Sequence, residues 1–587
     1  MALIDFKVLP GIDKQDTTSG AENRWVDCDN TRFRYGLPEK VGGWSSLITD
    51  TIVGVARREF AFVDLDGNRY VAIGTDKFLL IYFEGQLYDI TPLKTTLTSA
   101  TLATTDTSAI CSITTGTNHD LSVGDIVLLD TVTLPVGTGY VDADFENKLF
   151  QVTSITSATV FTITQSTAAT ATVGTGGSLS VKPYEQVGPA EQSYGYGWGI
   201  DTWGSGKWGE AASASDVSLE PGLWSLSNFG QVLVATIANG KTFTWNAGDA
   251  ARLTTRASTT TSGFETTNNP TATRITLVSP TTRHLIHLGT ETTIGDPTTQ
   301  DDMFIRFSDQ EDINDYVPTA INSAGSQRLQ DGTRIIGALK AKESILVWTD
   351  NALYTMKFIG APFTFGFEQV GTNCGLIGKN AAIEIDGMAF WMSSNGFFMF
   401  DGTVKSLPCS VEDYVYDQAD TTKGQQVYAG INNLFTEVVW YYPSTNSEYN
   451  DQYVVFNYGE PMKGGTWYIG TEARTSWIDA TVYQKPIATK FDSTTAGTFP
   501  VIVGEDGLGQ TTLFEHEVGT DQVNPDGSTT TVTSFIKSYD FDLQSRQKGP
   551  DGKASGQAVA GEVFLAMRRF VPDFKDLQGN ATVTLAV

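Results

Sequence analysis

Apolar runs broken by short polar turns recur along this chain, and two neighbouring copies define the pattern. Ile345-Leu346-Val347-Trp348 passes through Thr349-Asp350-Asn351 into Ala352-Leu353-Tyr354-Thr355-Met356-Lys357-Phe358. Further on, Ala389-Phe390-Trp391-Met392 passes through Ser393-Ser394-Asn395-Gly396 into Phe397-Phe398-Met399-Phe400 and stops at Asp401-Gly402. Asn-Gly between two apolar runs predicts a type I′ hairpin, whose two central residues need positive φ. Similar paired runs occur at 71–76 with 78–83, at 232–234 with 243–245, at 453–456 with 467–469, and at 501–503 with 512–514. One such hairpin has two apolar faces and cannot bury both alone, whereas stacked neighbours can. The turns at Asp350 and Asn395 lie 45 residues apart, the period of a four-stranded propeller blade. The expected fold is therefore mainly β: a β-propeller built from aromatic hairpins. The alternative is a large sandwich of irregular hairpins.

The chain in order predicts five parts. Residues 1–60 form an N-terminal arm with docking strands. Here nine acidic residues nearly balance eight basic ones, in a chain whose net charge is −28. Arg32 and Arg34 sit in an alternating stretch, Asp29 to Gly36, that reads either as an edge strand carrying protective charges or as a docking arm for an acidic partner. Residues 61–92 form the first blade. Residues 93–184 turn Thr-, Ser- and Gly-rich and read as a small inserted β-barrel or sandwich, since surface loops tolerate insertion at low entropic cost. Residues 185–520 continue the propeller, and 521–587 form a C-terminal β segment ending in a strand-like run, Ala581 to Val587. Helix is entertained only around Tyr414 to Tyr416 and Phe564 to Phe570.

Between 194 and 209, Trp198, Trp203 and Trp208 alternate with glycines and follow no regular period. They read as a filler between blades, as a seal against a neighbouring subunit, or as a sugar-stacking surface; large rings with few rotamers suit interfaces. The acidic group Asp301, Asp302, Asp309, Glu311, Asp312 and Asp315 lacks the calcium-loop order, so a solvated acidic face is the default reading. Four scattered cysteines form no CxxC pair and read as buried thiols. His284 and His287 fall on opposite strand faces, and His516 has no second His at zincin spacing. Gly240-Lys241-Thr242 mimics only the end of a P-loop. No catalytic residue, cofactor or metal site is expected, and no apolar run is long enough to span a membrane. The acidic excess argues against gripping a phosphate backbone, which takes Lys and Arg.

Several stretches together resemble the packaged-DNA stabilization proteins that form the tail nozzle of short-tailed bacteriophages. They are Asn30-Thr31-Arg32-Phe33-Arg34 with Gly42-Gly43-Trp44, Ala72-Ile73-Gly74-Thr75, Asp89-Ile90-Thr91-Pro92, the aromatic loop 194–209, Ile305-Arg306-Phe307-Ser308-Asp309-Gln310, Ala324-Gly325-Ser326-Gln327-Arg328-Leu329 and Val347-Trp348-Thr349-Asp350. The most specific are Gly371-Thr372-Asn373-Cys374-Gly375-Leu376-Ile377-Gly378 and Trp391-Met392-Ser393-Ser394-Asn395-Gly396. The likeness covers about residues 20–420 and is weaker across the insertion. It implies a structural subunit in a hexameric ring below the portal and adaptor. Such a ring retains the packaged genome and passes double-stranded DNA without binding it specifically. It contacts the tail adaptor and a fibre or plug, sits in the virion, and is assembled in the host cytoplasm. The subunit contacts expected are Arg32, Arg34, Trp198, Trp203 and Trp208. A receptor-binding or polysaccharide-degrading tail propeller is the alternative.

Overall fold

The computed structural model describes residues 8–21, 23–192, 220–259, 269–459, 465–504, 507–540 and 581–584. It is mainly β, with one α-helix among the described residues, Glu412–Gln418, where the sequence admitted one. Seven antiparallel sheets follow one another, within 56–89, 224–246, 273–328, 335–372, 382–406, 428–470 and 476–516. Most have four strands in simple up-and-down order. The first strand of each sheet packs against the first strand of the next. The cycle closes where Ser476–Ile478 of the seventh sheet meets Ala56–Val63 of the first.

Tryptophans join these sheets. Trp224 of the second sheet donates its Nε1–H to the Thr75 carbonyl of the first at 2.9 Å. Trp440 of the sixth donates to Ala381 O at 3.1 Å, and Trp477 of the seventh to Ile431 O of the sixth at 2.7 Å. Each indole is buried with its one polar atom satisfied, so burial is gained without an orphaned donor. The fit requires small neighbours. A Cβ on Gly74 would stand 2.4 Å from the Trp224 ring, and one on Gly430 would stand 2.6 Å from Trp477.

The predicted hairpins at 71–83, 232–245, 345–358, 389–400 and 453–469 all form. The turn at Asn395 differs from expectation. Ser393 pairs with Gly396, so Ser394 and Asn395 are the central residues, and positive φ falls on Gly396 instead (127°). The hairpin expected between 501–503 and 512–514 does not form. Ile502–Val503 instead runs parallel to Leu149–Phe150 of the inserted domain, and Gln510–His516 pairs with Ile487–Asp492.

The insertion is a closed six-stranded barrel. Ile126–Thr133, Val173–Pro183, Leu97–Thr104, Ile110–Thr114, Val160–Thr164 and Lys148–Ser157 pair in that order, and the last pairs back to the first. Leu102, Ile113, Val127, Phe150, Phe161 and Val181 fill its interior, as a small barrel's bore demands. Leu93 and Tyr184 bridge where the chain enters and leaves.

Both ends of the chain fold back onto the sheets. Trp44–Ser46 joins the seventh sheet, pairing antiparallel with Gln510–His516 on one side and parallel with Gln522–Val523 on the other. Arg24–Asp29 pairs with Phe535–Ser538 and packs against the outer strand of the sixth sheet, Thr466–Gly470. The described part of the final run, 581–584, is exposed and forms no strand.

Candidate functional site

The N-terminal hairpin Thr31–Arg34 with Leu37–Lys40 separates the two arginines singled out in the sequence. Arg32 is 3% exposed. Its guanidinium meets Glu517 through Nη2 and Glu437 through Nε (3.4 Å), and lies 3.6 Å from the Phe435 ring centre. Glu517 also accepts from Asn432 Nδ2 at 3.0 Å. Burial pushes the Glu437 carboxyl up to about 7 against the pull of Arg32. As a contact for an acidic partner Arg32 is therefore corrected: its charge is matched inside the chain, because an unpaired guanidinium at this depth would be too costly.

Arg34 is exposed and lies over Tyr35 and Phe435, each at 5.2 Å. The turn beyond it is a strained, apolar tip. Arg34 pairs with Leu37, so Tyr35 and Gly36 are the central residues, with φ of 52° and 77°. Tyrosine in this left-handed region costs about 1–2 kcal/mol. Tyr35 is nevertheless 84% exposed, with Leu37 and Leu434 also exposed nearby in sequence to this hairpin and to Phe435. Trp198, Trp203 and Trp208 lie outside the described residues.

A second apolar tip crowns the fourth sheet, where Ala352–Gly360 and Thr364–Thr372 run beyond their neighbours. Phe358, Ile359 and Phe363 are exposed there, Phe363 by 73%. Beneath them Phe365 is buried against Phe307 and His284. Thr364 Oγ1 donates to Ser323 O at 2.9 Å, which brings the 313–323 loop alongside with Ile321 97% exposed. The acidic residues around this loop are occupied locally. Asp309 accepts from the backbone and hydroxyl of Ser323, Asp315 caps Val317 N, and Glu311 faces Arg283 at 3.8 Å. Asp301 pairs with Arg328 and Asp302 with Arg274. Among the described residues no group of three or more His, Cys, Asp or Glu could hold a metal ion.

Chemistry-bearing side chains elsewhere are built into the core. His284 and His287 are fully buried, which pushes them down to about 4 and about 3. Neither sits near the pKa that suits a general base at neutral pH. His516 accepts from Arg474 Nε at 2.8 Å between the Trp44 and Trp477 rings. All four cysteines are free and buried. A cavity of about 530 Å³ lies between barrel and sheets, lined by Asn147 and Lys148 and by three polar groups that are spent on one another. Arg256 and Tyr184 both bind Asp89, at 3.0 and 2.7 Å, and Arg256 also bonds Tyr184 at 2.6 Å. That triad latches the barrel to the first sheet.

These features define a mainly β protein of many small antiparallel sheets with one closed barrel, whose distinctive surfaces are apolar tips. No protein-family model and no curated protein matches the chain. Solved structures that match include Hsv2 of Kluyveromyces lactis, at 11% identity and TM-score 0.24, covering 45% of this chain and 68% of that one. Another is the endosialidase of phage phi92, at 10% identity and TM-score 0.17, covering 91% and 71%. A third is apo AztD from Citrobacter koseri, at 8% identity and TM-score 0.23, covering 65% and 97%. Scores this low carry no argument about what this chain does. No helix among the described residues is long and apolar enough to cross a membrane.

Proposed function

We propose that this chain is a structural subunit of a bacteriophage tail: a seven-bladed β-propeller that assembles head-to-tail into a nozzle-like ring for DNA passage. The observation that carries this reading is the pair of exposed apolar tips, Tyr35 with Leu37 and Phe358 with Phe363, on an otherwise acidic chain. Unlike tips on two different sheets favour a heterologous contact, which closes into a ring when the rotation permits. The cyclic packing of the seven first strands supports the propeller. In a propeller the turns after first and third strands share one face, so the Phe363 tip and the Phe435 turn beneath Arg34 would emerge together.

The charge fits the role. A wall made from copies carrying −28 each repels phosphates over a Debye length of ~8 Å at physiological salt, so a passing duplex is not held. The likeness to tail-nozzle proteins supplies the partners, a tail adaptor and a fibre or plug, and the expected six copies. Negative-stain images of the purified chain, or mass photometry across concentration, test the proposal. Six-fold rings, weakened by Phe363→Ser with Tyr35→Ser, are expected. A monomer at every concentration, or a trimer that depolymerises host capsule polysaccharide, would overturn it.

A further inference from the structure

Cations gather where the first strands meet, in a chain that is acidic overall. Arg58 lies on Ala56–Val63 of the first sheet, Lys340 ends Ile335–Lys340 of the fourth, and Lys379 precedes Ala382–Ile385 of the fifth. Arg58 is near enough to both lysines to disfavour their charge, and Arg274 adds to the effect at Lys379. Their hydrogen-bond partners are neutral. Lys340 Nζ donates to Ser227 Oγ at 2.8 Å, and Arg58 Nη1 to Asn380 Oδ1 at 3.3 Å. Lys379 keeps part of its stem exposed, but its Nζ is enclosed and has no partner.

One nearby carboxylate, Glu220, favours the charge on Lys379, but it is shared with two arginines. Glu220 is held by Arg274, at 2.8 Å, and by Arg334, at 2.7 Å. Glu59 accepts from Ser476 Oγ at 2.7 Å, and its burial raises the carboxyl to about 8, so it is largely uncharged at neutral pH. An enclosed ammonium with no hydrogen bond and only a shared counter-ion is costly to keep charged, so burial lowers Lys379 to about 7. A bound anion removes that cost.

We propose that Arg58, Lys340 and Lys379 form a binding site for a multivalent oxyanion of the phosphate class at the hub of the sheets. Ser227 and Asn380, already within hydrogen-bond distance of the cations, are placed to orient it. Arg58 supplies the planar fork that suits an oxyanion, and the lysines supply point charge. The site does not depend on subunit assembly, so its failure and the failure of the ring reading are separate results.

The test uses the full chain with inorganic phosphate and pyrophosphate at constant ionic strength. Thermal stability should rise saturably with either probe, by mass action on the folded state. Titration calorimetry at pH 8 should show proton uptake, because burial holds Lys379 down to about 7 in the free protein and an anion restores its charge. Lys379→Met should leave or raise the melting temperature without phosphate, yet weaken binding at least ten-fold and reduce the proton uptake to the share of Lys340, which burial lowers to about 8. Lys340→Gln should weaken binding without removing that uptake, and covers the case in which the first variant misfolds. Lys405→Met, at an exposed pair with Asp401, should change nothing. An equal shift with chloride, an undiminished response in both hub variants, or no saturable binding would overturn the proposal.

Discussion

The inserted barrel and the seven sheets beside it close in different ways. The barrel completes itself from one continuous stretch, by pairing Lys148–Ser157 with Ile126–Thr133. The sheets close between distant parts of the chain: Ser476–Ile478 meets Ala56–Val63, and Trp44–Ser46, near the start, pairs with Gln510–His516 within the seventh sheet. Closing a longer loop costs only slightly more entropy, so both closures are affordable. Their vulnerabilities differ. The barrel stands or falls with its local core, whereas the sheet cycle depends on a strand, an ion-paired arginine and several tryptophans contributed from far apart.

The most disruptive way to separate them is to delete residues 1–47. This removes Arg32 and the strand Trp44–Ser46 that the seventh sheet draws from the start of the chain, and should abolish cooperative unfolding of the sheets. Limited proteolysis should then leave a protected fragment spanning about 93–184; equal loss of both regions would show that the barrel borrows its stability. Next come single changes at the long-range closure. Arg32→Ala strands Glu437 and Glu517 and should cost about 3–5 kcal/mol in urea unfolding. Arg34→Ala, two residues on, should stay within about 0.5 kcal/mol.

Gly74→Ala should cost about 1–3 kcal/mol by overpacking against Trp224. Scanning calorimetry should show that loss in the transition of the sheets and not in that of the barrel, whereas Phe161→Ala should do the reverse. A smaller effect is expected from pH. Glu59 is raised by burial to about 8, opposed by Ser476 and Arg58. The unfolded chain therefore binds fewer protons between about pH 4.5 and 8, so this group makes stability fall as pH rises through that window. The slope is at most about 1.4 kcal/mol per pH unit. Glu59→Gln should flatten it for the sheets and leave the barrel's transition alone.

Period-two alternation and aromatic runs made most hairpins legible, because they depend on neighbours a few residues apart. The same signal misled at 501–514, where Ile502 and Val503 read as a strand but pair with the barrel. Alternation marks a segment as a strand without naming its partner. It also gave Arg32 and Arg34 the same face, yet one is sealed under Phe435 and the other flanks an exposed turn. The hub cations left no pattern at all, since Arg58, Lys340 and Lys379 are far apart in sequence and only sheet packing brings them together.

The sequence by itself determined the β class, the hairpin ribbons, the site of the insertion and the acidic balance, since each follows from local periodicity or composition. Tertiary structure alone decided which strands close the cycle, which arginine faces inward and where Arg58, Lys340 and Lys379 come together. Those outcomes depend on contacts between residues hundreds of positions apart, and desolvation there sets the energy of every charge.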